Sequence, residues 1–209
     1  FYSSEYNRAT YSNNLKKTFN KIRNLPKNKS DNYFRVKRIG TFLKKRVGNV
    51  KNKSLLDVGS GLGIFPYMIS KIGLKCTALD PSKVSCNHLK KSLKLNTLYG
   101  DFFKKKIKKK FDIITLNKVI EHVKRPEKML LKAKSILEPN GVIYIEIPDI
   151  KAAKEGKNRE EFYLDHLHVF SKKSVKYLAK KINMKLILVK SIREPSSKYT
   201  IYAFLSKHI

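Results

Sequence analysis

The chain has 209 residues, with 47 lysines and arginines against 16 aspartates and glutamates and a formal net charge of +31. That length suggests one domain with at most an appendage, and a 41% hydrophobic content can bury a sizeable core. No apolar run reaches the roughly 20 residues of a membrane span, the polar start FYSSEYNRATYSNN lacks the apolar segment of a signal peptide, and Cys76 and Cys86 fit neither a metal motif nor a disulfide framework, so a cytoplasmic setting is expected.

Residues 1–50 read as a basic helical cap, with Val36, Ile39, Phe42, Leu43 and Val47 near helical spacing, ahead of a larger domain over 51–209. KSLLDVGSG reads as a buried strand running into glycines. GIFPYMISKIG follows as a helix, with Pro66 in its first turn and Gly73 at its end. KCTALD is a second strand, and Pro81 and Ser82 open the next helix, Ser82 as its cap. LNTLYGD and FDIITLN are the third and fourth strands. RPEKMLLKAKSIL is a helix with Pro126 and Glu127 in its first turn and Met129, Leu130, Ala133, Ile136 and Leu137 on its apolar face. GVIYIEIPD is a fifth strand, and Ser171 caps a helix whose apolar face is Val175, Leu178, Ala179 and Ile182. The end, MKLILVKSIREPSSKYTIYAFLS, reads as a hairpin. Alternating strands and helices predict a parallel sheet covered on both faces, to which the hairpin adds an antiparallel strand.

Three features stand at the ends of consecutive strands, where open α/β sheets bind ligands. Gly59, Gly61 and Gly63 follow strand one and allow a tight turn with close backbone approach. Asp80 ends strand two, 23 residues after Asp57, a position suited to a ribose diol. Asp101 follows strand three and could accept from an adenine amino group, with Phe102 or Phe103 covering the ring. A lone glycine turn or a helix-capping aspartate would explain each feature singly; the three together point to an adenosine-containing ligand.

With LLDVGSGLG, ALD, GD, FDIITLNKVIEHV and LEPNGVIYIEIPD quoted over roughly Lys53–Ser171, the chain resembles the class I S-adenosylmethionine-dependent methyltransferases. The resemblance implies a Rossmann-like three-layer sandwich, with a seven-stranded, mostly parallel sheet whose last strand is antiparallel, and S-adenosylmethionine as cofactor. It places Asp57, Gly59, Ser60 and Gly61 along the methionine moiety, Asp80 and Pro81 at the ribose, Asp101 and Phe102 at adenine, and Asn117 beside the sulfonium.

For the acceptor, NKVI after strand four lacks the Pro-Pro-aromatic of amino-nucleobase enzymes, and neither cysteine has the neighbouring proline of cytosine-C5 enzymes. Glu121-His122-Val123 resembles ubiquinone-type and sugar O-methyltransferases. Some of these hold a divalent metal through E-x-x-E-H, but Lys118 replaces the first acid here, so no metal is expected. Glu121 and His122 can equally open the helix after strand four, with His122 beside the acceptor. FYLDHLHVFS resembles substrate-side segments of sugar and other small-molecule methyltransferases. It nominates His166 as general base, with Asp165 and Tyr163 as companions and His168 toward the substrate; a histidine that merely ties the loop is the competing reading. Tyr2, Tyr6, Arg8 and Tyr11 are candidate lid contacts. The expected reaction is O-methylation of a saccharide or nucleotide-linked sugar in a surface-polysaccharide type of pathway. The alternative is an rRNA or tRNA methyltransferase, motivated by the charge. Against it, arginine supplies only eight of the 47 basic residues, and the lysine-rich composition, including KKKIKKK at Lys104–Lys110, reads as solvated surface.

Overall fold

The computed structural model describes residues 14–208; Tyr2, Tyr6, Arg8 and Tyr11 lie outside the described residues. The chain divides into two compact units, the first ending at Lys106 and the second beginning at Ile107.

The first unit opens with helices α1 (Leu15–Arg23) and α2 (Asp31–Val47). The Ser30 hydroxyl starts α2 by accepting from the Tyr33 amide at 3.2 Å, and Asp31 complements the helix dipole. Of the apolar positions in α2, Ile39 and Leu43 are buried, whereas Val47 emerges in the last turn. Strand β1 (Ser54–Val58) then leads into α3 (Ile64–Ser70), β2 (Lys75–Asp80), the short α4 (Lys83–Asn87) with a π turn over His88–Ser92, and β3 (Asn96–Tyr99). Helix α3 stops at Ser70, earlier than the glycine suggests. Gly73 instead takes φ +98° in the turn toward β2 and donates to the Ser70 carbonyl at 3.1 Å. Ser82 caps α4 as the sequence predicts, accepting from the Ser85 amide.

The second unit holds β4 (Phe111–Asn117), α5 (Pro126–Ser135), β5 (Leu137–Pro148), α6 (Lys172–Lys181), β6 (Lys185–Arg193) and β7 (Tyr199–Ser206). Strand β5 begins at Leu137 because that residue already pairs with Phe111, before the ladder resumes at Val142. Ser171 and Ser174 form a reciprocal capping box at the start of α6. The strand order is β3-β2-β1-β4-β5-β7-β6. Pairs β1–β2, β2–β3 and β4–β5 are parallel, and β7 runs antiparallel to both β5 and β6. This is the seven-stranded Rossmann-like sheet expected, with its antiparallel last strand. Ile114, Leu116, Ile143, Tyr144, Ile145 and Ile147 are all fully buried, as continuous strands covered on both faces must be. No helix among the described residues is long and apolar enough to cross a membrane.

Gly63 has φ +81°, and a Cβ there would lie 2.4 Å from Leu89 Cδ2 and 2.7 Å from Leu93 Cδ1. Both the conformation and the packing require glycine. Gly63→Ala is expected to destabilise the chain by about 1–3 kcal/mol in urea unfolding; an unchanged midpoint would mean that the leucines yield without cost.

Candidate functional site

At the carboxyl end of β1 the chain turns through Gly59, Gly61 and Gly63 at φ +73°, +50° and +81°. The Gly59 and Ser60 amides donate to the Leu79 carbonyl at 2.8 and 3.1 Å, and the Ser60 hydroxyl donates to the Asp57 carbonyl at 2.9 Å. Asp80 anchors the turn from β2. One carboxylate oxygen accepts from the Gly61 amide at 2.7 Å and the other from the Ser82 amide at 2.9 Å. Burial pushes the Asp80 carboxyl above its ordinary range, and these two amide bonds oppose that rise. A carboxylate offers about four acceptor positions, so Asp80 can hold the turn and still accept from a diol. Such a free acceptor position fits the hydroxyls of an adenosine ribose.

Beyond β3, Asp101 is exposed and caps its own loop, accepting from the Phe103 amide at 2.6 Å. Phe102 is buried, whereas Phe103 is exposed. The surface aromatic of this turn is therefore Phe103, and Phe102, nominated from sequence, belongs to the core. Asp57 is also buried within β1, and Pro81 is half-buried after Asp80.

In the second unit Asn117 ends β4, and Lys118 turns the chain at φ +56°, a left-handed conformation unusual for lysine. Its amide donates to the Glu146 carbonyl at 2.8 Å and its ammonium to the Thr200 hydroxyl at 2.8 Å. A single 3-10 turn, Ile120–His122, follows. The loop from Phe162 to Phe170 docks onto this turn. The Leu167 and His168 amides both donate to the Glu121 carbonyl, at 2.8 and 3.2 Å, and His168 Nε2 lies 3.1 Å from the Val123 carbonyl. The two histidines of DHLH thus diverge. His166 turns to His122, with ring centroids 4.8 Å apart, while His168 ties down the loop.

Asp165 is not the partner of His166. Its carbonyl lies 2.9 Å, and its carboxylate 3.6 Å, from His122 Nδ1. His166 Nδ1 lies instead 3.0 Å from the carbonyl of Glu161. Glu161 is itself fixed by a two-pronged Arg159 contact at 3.0 and 3.1 Å and by the Tyr199 amide at 2.6 Å. Burial raises the Glu161 carboxyl, but these donors outweigh it and hold it below the usual range. Tyr163 is exposed.

Glu121 is the residue whose importance the sequence reading left open. It is fully buried, and one of its carboxylate oxygens and a ring nitrogen each from His122 and His166 lie within 4.8 Å of one another. Burial pushes the Glu121 carboxyl up to about 8, against the attraction of Lys118. Burial also lowers His122, and the adjacent His166 adds to that effect. The signal available in the sequence was the EHV triplet itself, an acid four residues past the end of a buried strand.

The family model described as "Methyltransferase domain" matches residues 30–189. Among curated proteins, the ubiquinone biosynthesis O-methyltransferase of Actinobacillus pleuropneumoniae serotype 7 is 30% identical over 114 residues, covering 49% of each chain. The protein of that name from Pelagibacter ubique is 31% identical over 101 residues, covering 46% of this chain and 42% of its own. The chain thus spans about half the length of these relatives, 49% in the first case. Magnesium protoporphyrin IX methyltransferase from Synechocystis PCC 6803, solved with bound SAH, superposes with a TM-score of 0.74 at 11% identity, covering 99% of this chain and 100% of that one. The plantazolicin methyltransferase BpumL gives 0.73 at 16%, covering 98% and 95%. At these identities the solved structures speak to the fold.

The burial of Glu121 has a consequence for stability. Its raised carboxyl keeps a proton in the folded chain that the unfolded chain has already released. Stability due to this residue therefore falls as pH rises from the ordinary 4.5 to about 8, and levels off above. Glu121→Gln is expected to remove that slope, so that the melting-temperature difference between variant and native protein changes across this window. A constant difference would show that Glu121 ionises normally.

Proposed function

The chain belongs to the methyltransferase-domain family, and from that premise we propose that it transfers a methyl group from S-adenosylmethionine to an oxygen of a small-molecule acceptor. The observation that carries this reading is Asp80, buried at the end of β2 with its carboxylate gripping Gly61 of the glycine turn. The cofactor, when bound, supplies a methyl group on a cationic sulfonium.

The residues have separable tasks under this reading. The left-handed glycines let the backbone approach the cofactor, and Asp80 accepts from its ribose hydroxyls. Asn117 ends β4. His166 removes the acceptor proton as the acceptor oxygen takes the methyl group. The names of the curated relatives favour an oxygen of a small molecule on the way to ubiquinone over the saccharide expected from sequence. Those relatives lend no support to a role in polysaccharide synthesis.

Calorimetry with S-adenosylmethionine tests the cofactor. The native chain is expected to bind it, and Asp80→Ala to weaken binding by about 100-fold, the equivalent of about 3 kcal/mol. Equal affinity would end the assignment. His166→Ala is expected to lower turnover by about 10²-fold on the best acceptor from a panel of catechols and nucleotide sugars, at unchanged cofactor affinity. Full turnover would move the base elsewhere.

A further inference from the structure

Exposed apolar side chains are ordinary when they stand singly, but a cluster of them on an anchored loop marks a surface that something covers. The loop from Phe162 to Phe170 carries such a cluster: Leu164 is 101% exposed, Tyr163 59% and Leu167 52%. Its backbone is held in place. The His166 amide donates to the Tyr163 carbonyl at 2.9 Å and closes a turn with Leu164 at its tip. The Leu167 amide donates to the Glu121 carbonyl at 2.8 Å, and the Phe170 amide to the Pro148 carbonyl at 3.2 Å. The hydrogen bonds that seat the loop therefore also hold a leucine out in water.

The charge around this turn is that of lysine. Lys151, Lys154 and Lys157 precede it along the chain, Lys172 and Lys173 follow it, and all five are exposed. Docking of Leu167 and His168 onto Glu121 and Val123 adds the exposed Lys124, the next residue in that chain. The carboxylates of the same stretch already have cations. Glu155 has Arg159 and Arg193 at 3.1 and 3.0 Å, Glu160 has Lys198 at 3.0 Å, and Glu161 has Arg159 at 3.0 Å. Asp165 lies 3.6 Å from His122 Nδ1.

We propose that Tyr163, Leu164 and Leu167, with the lysines that flank them, form a docking surface for an anionic phospholipid bilayer. The lysines meet the lipid phosphates, an attraction that accumulates with each residue and that salt screens. The apolar side chains enter the headgroup layer and supply a part that salt does not screen, with the tyrosine ring at headgroup level. Basic charge alone chooses among no polyanions; Leu164 does. A nucleic acid would answer the lysines and leave this leucine in water, because it rewards cations along its backbone and flat rings against its bases. Such peripheral contact needs no membrane-spanning helix, and it stands whether or not the chain transfers methyl groups.

The full chain contains no tryptophan, so Leu164→Trp places a single fluorescent reporter at a site where packing is undisturbed. With vesicles of phosphatidylcholine and phosphatidylglycerol, its emission is expected to shift to the blue and to be quenched by lipids brominated in their acyl chains; with phosphatidylcholine alone it should stay unshifted. In co-sedimentation with the mixed vesicles, Leu164→Ser leaves the charge unchanged and is expected to weaken binding by about 10-fold. An unshifted reporter, or equal binding of Leu164→Ser and native chain, would reduce the contact to adsorption by charge and overturn the proposal. So would a native dimer that Leu164→Ser makes monomeric, which would give the patch to a second copy of the chain. RNA binding weakened by the same substitution would give it to nucleic acid and overturn the proposal equally.

Discussion

Scarce negative charge, buried where strands end, is the constraint on which the structure depends. The chain carries 47 basic residues and 16 acidic ones. Among the described residues, Asp57, Asp80, Glu121, Glu146, Asp149, Glu161 and Glu194 are all buried, against Arg35 and His88 on the basic side. Such burial is tolerable only when donors satisfy the carboxylates. Asp80 has two backbone amides, Glu146 has the Tyr144 hydroxyl at 2.7 Å, Asp149 has the Lys151 amide at 3.1 Å, and Glu161 has Arg159 and the Tyr199 amide. Apart from the Tyr144–Glu146 bond, which lies within β5, each of these also fixes a piece of loop. With these acids buried, lysine and arginine dominate the exposed charge, and that excess by itself carries no specificity.

Glu121 departs from this pattern, and its main chain and side chain act on the same loop in different ways. The carbonyl accepts from Leu167 and His168 and so sets where the DHLH segment lies. One carboxylate oxygen lies within 4.8 Å of a ring nitrogen of the His166 that this docking delivers. Arg159 and Glu161 hold His166 from the opposite side through the Glu161 carbonyl. An imidazole held at Nδ1 by a carbonyl keeps one tautomer, with its lone pair at Nε2.

Much of the fold was legible because its signals are local. Three glycines in five residues report a turn with positive φ, Ser82 and Ser171 report caps, and the two apolar runs around Pro-Ser-Ser report the hairpin. The place of Asp80 at the last residue of its strand was legible for the same reason, and its carboxylate accepts from the Gly61 amide of the turn. The end of α3 was misread because Gly73 serves the following turn rather than the helix. The buried member of the Phe102–Phe103 pair was not legible, since neighbouring aromatics in a loop carry no periodicity to tell them apart.

The amino-acid sequence by itself determined the alternation of strands and helices, the glycine turn with its aspartate, and the segments that carry histidines. Periodicity, capping and turn chemistry act over a few residues and survive without the rest of the chain. Tertiary structure alone decided which groups meet. Asp165 pairs with His122 across 43 positions rather than with its neighbour His166, and Glu161 joins Tyr199 across 38. The same packing buried Glu121 and so pushes its carboxyl up. Burial and contacts of that span depend on how the loop seats against the strand ends, which no local pattern encodes.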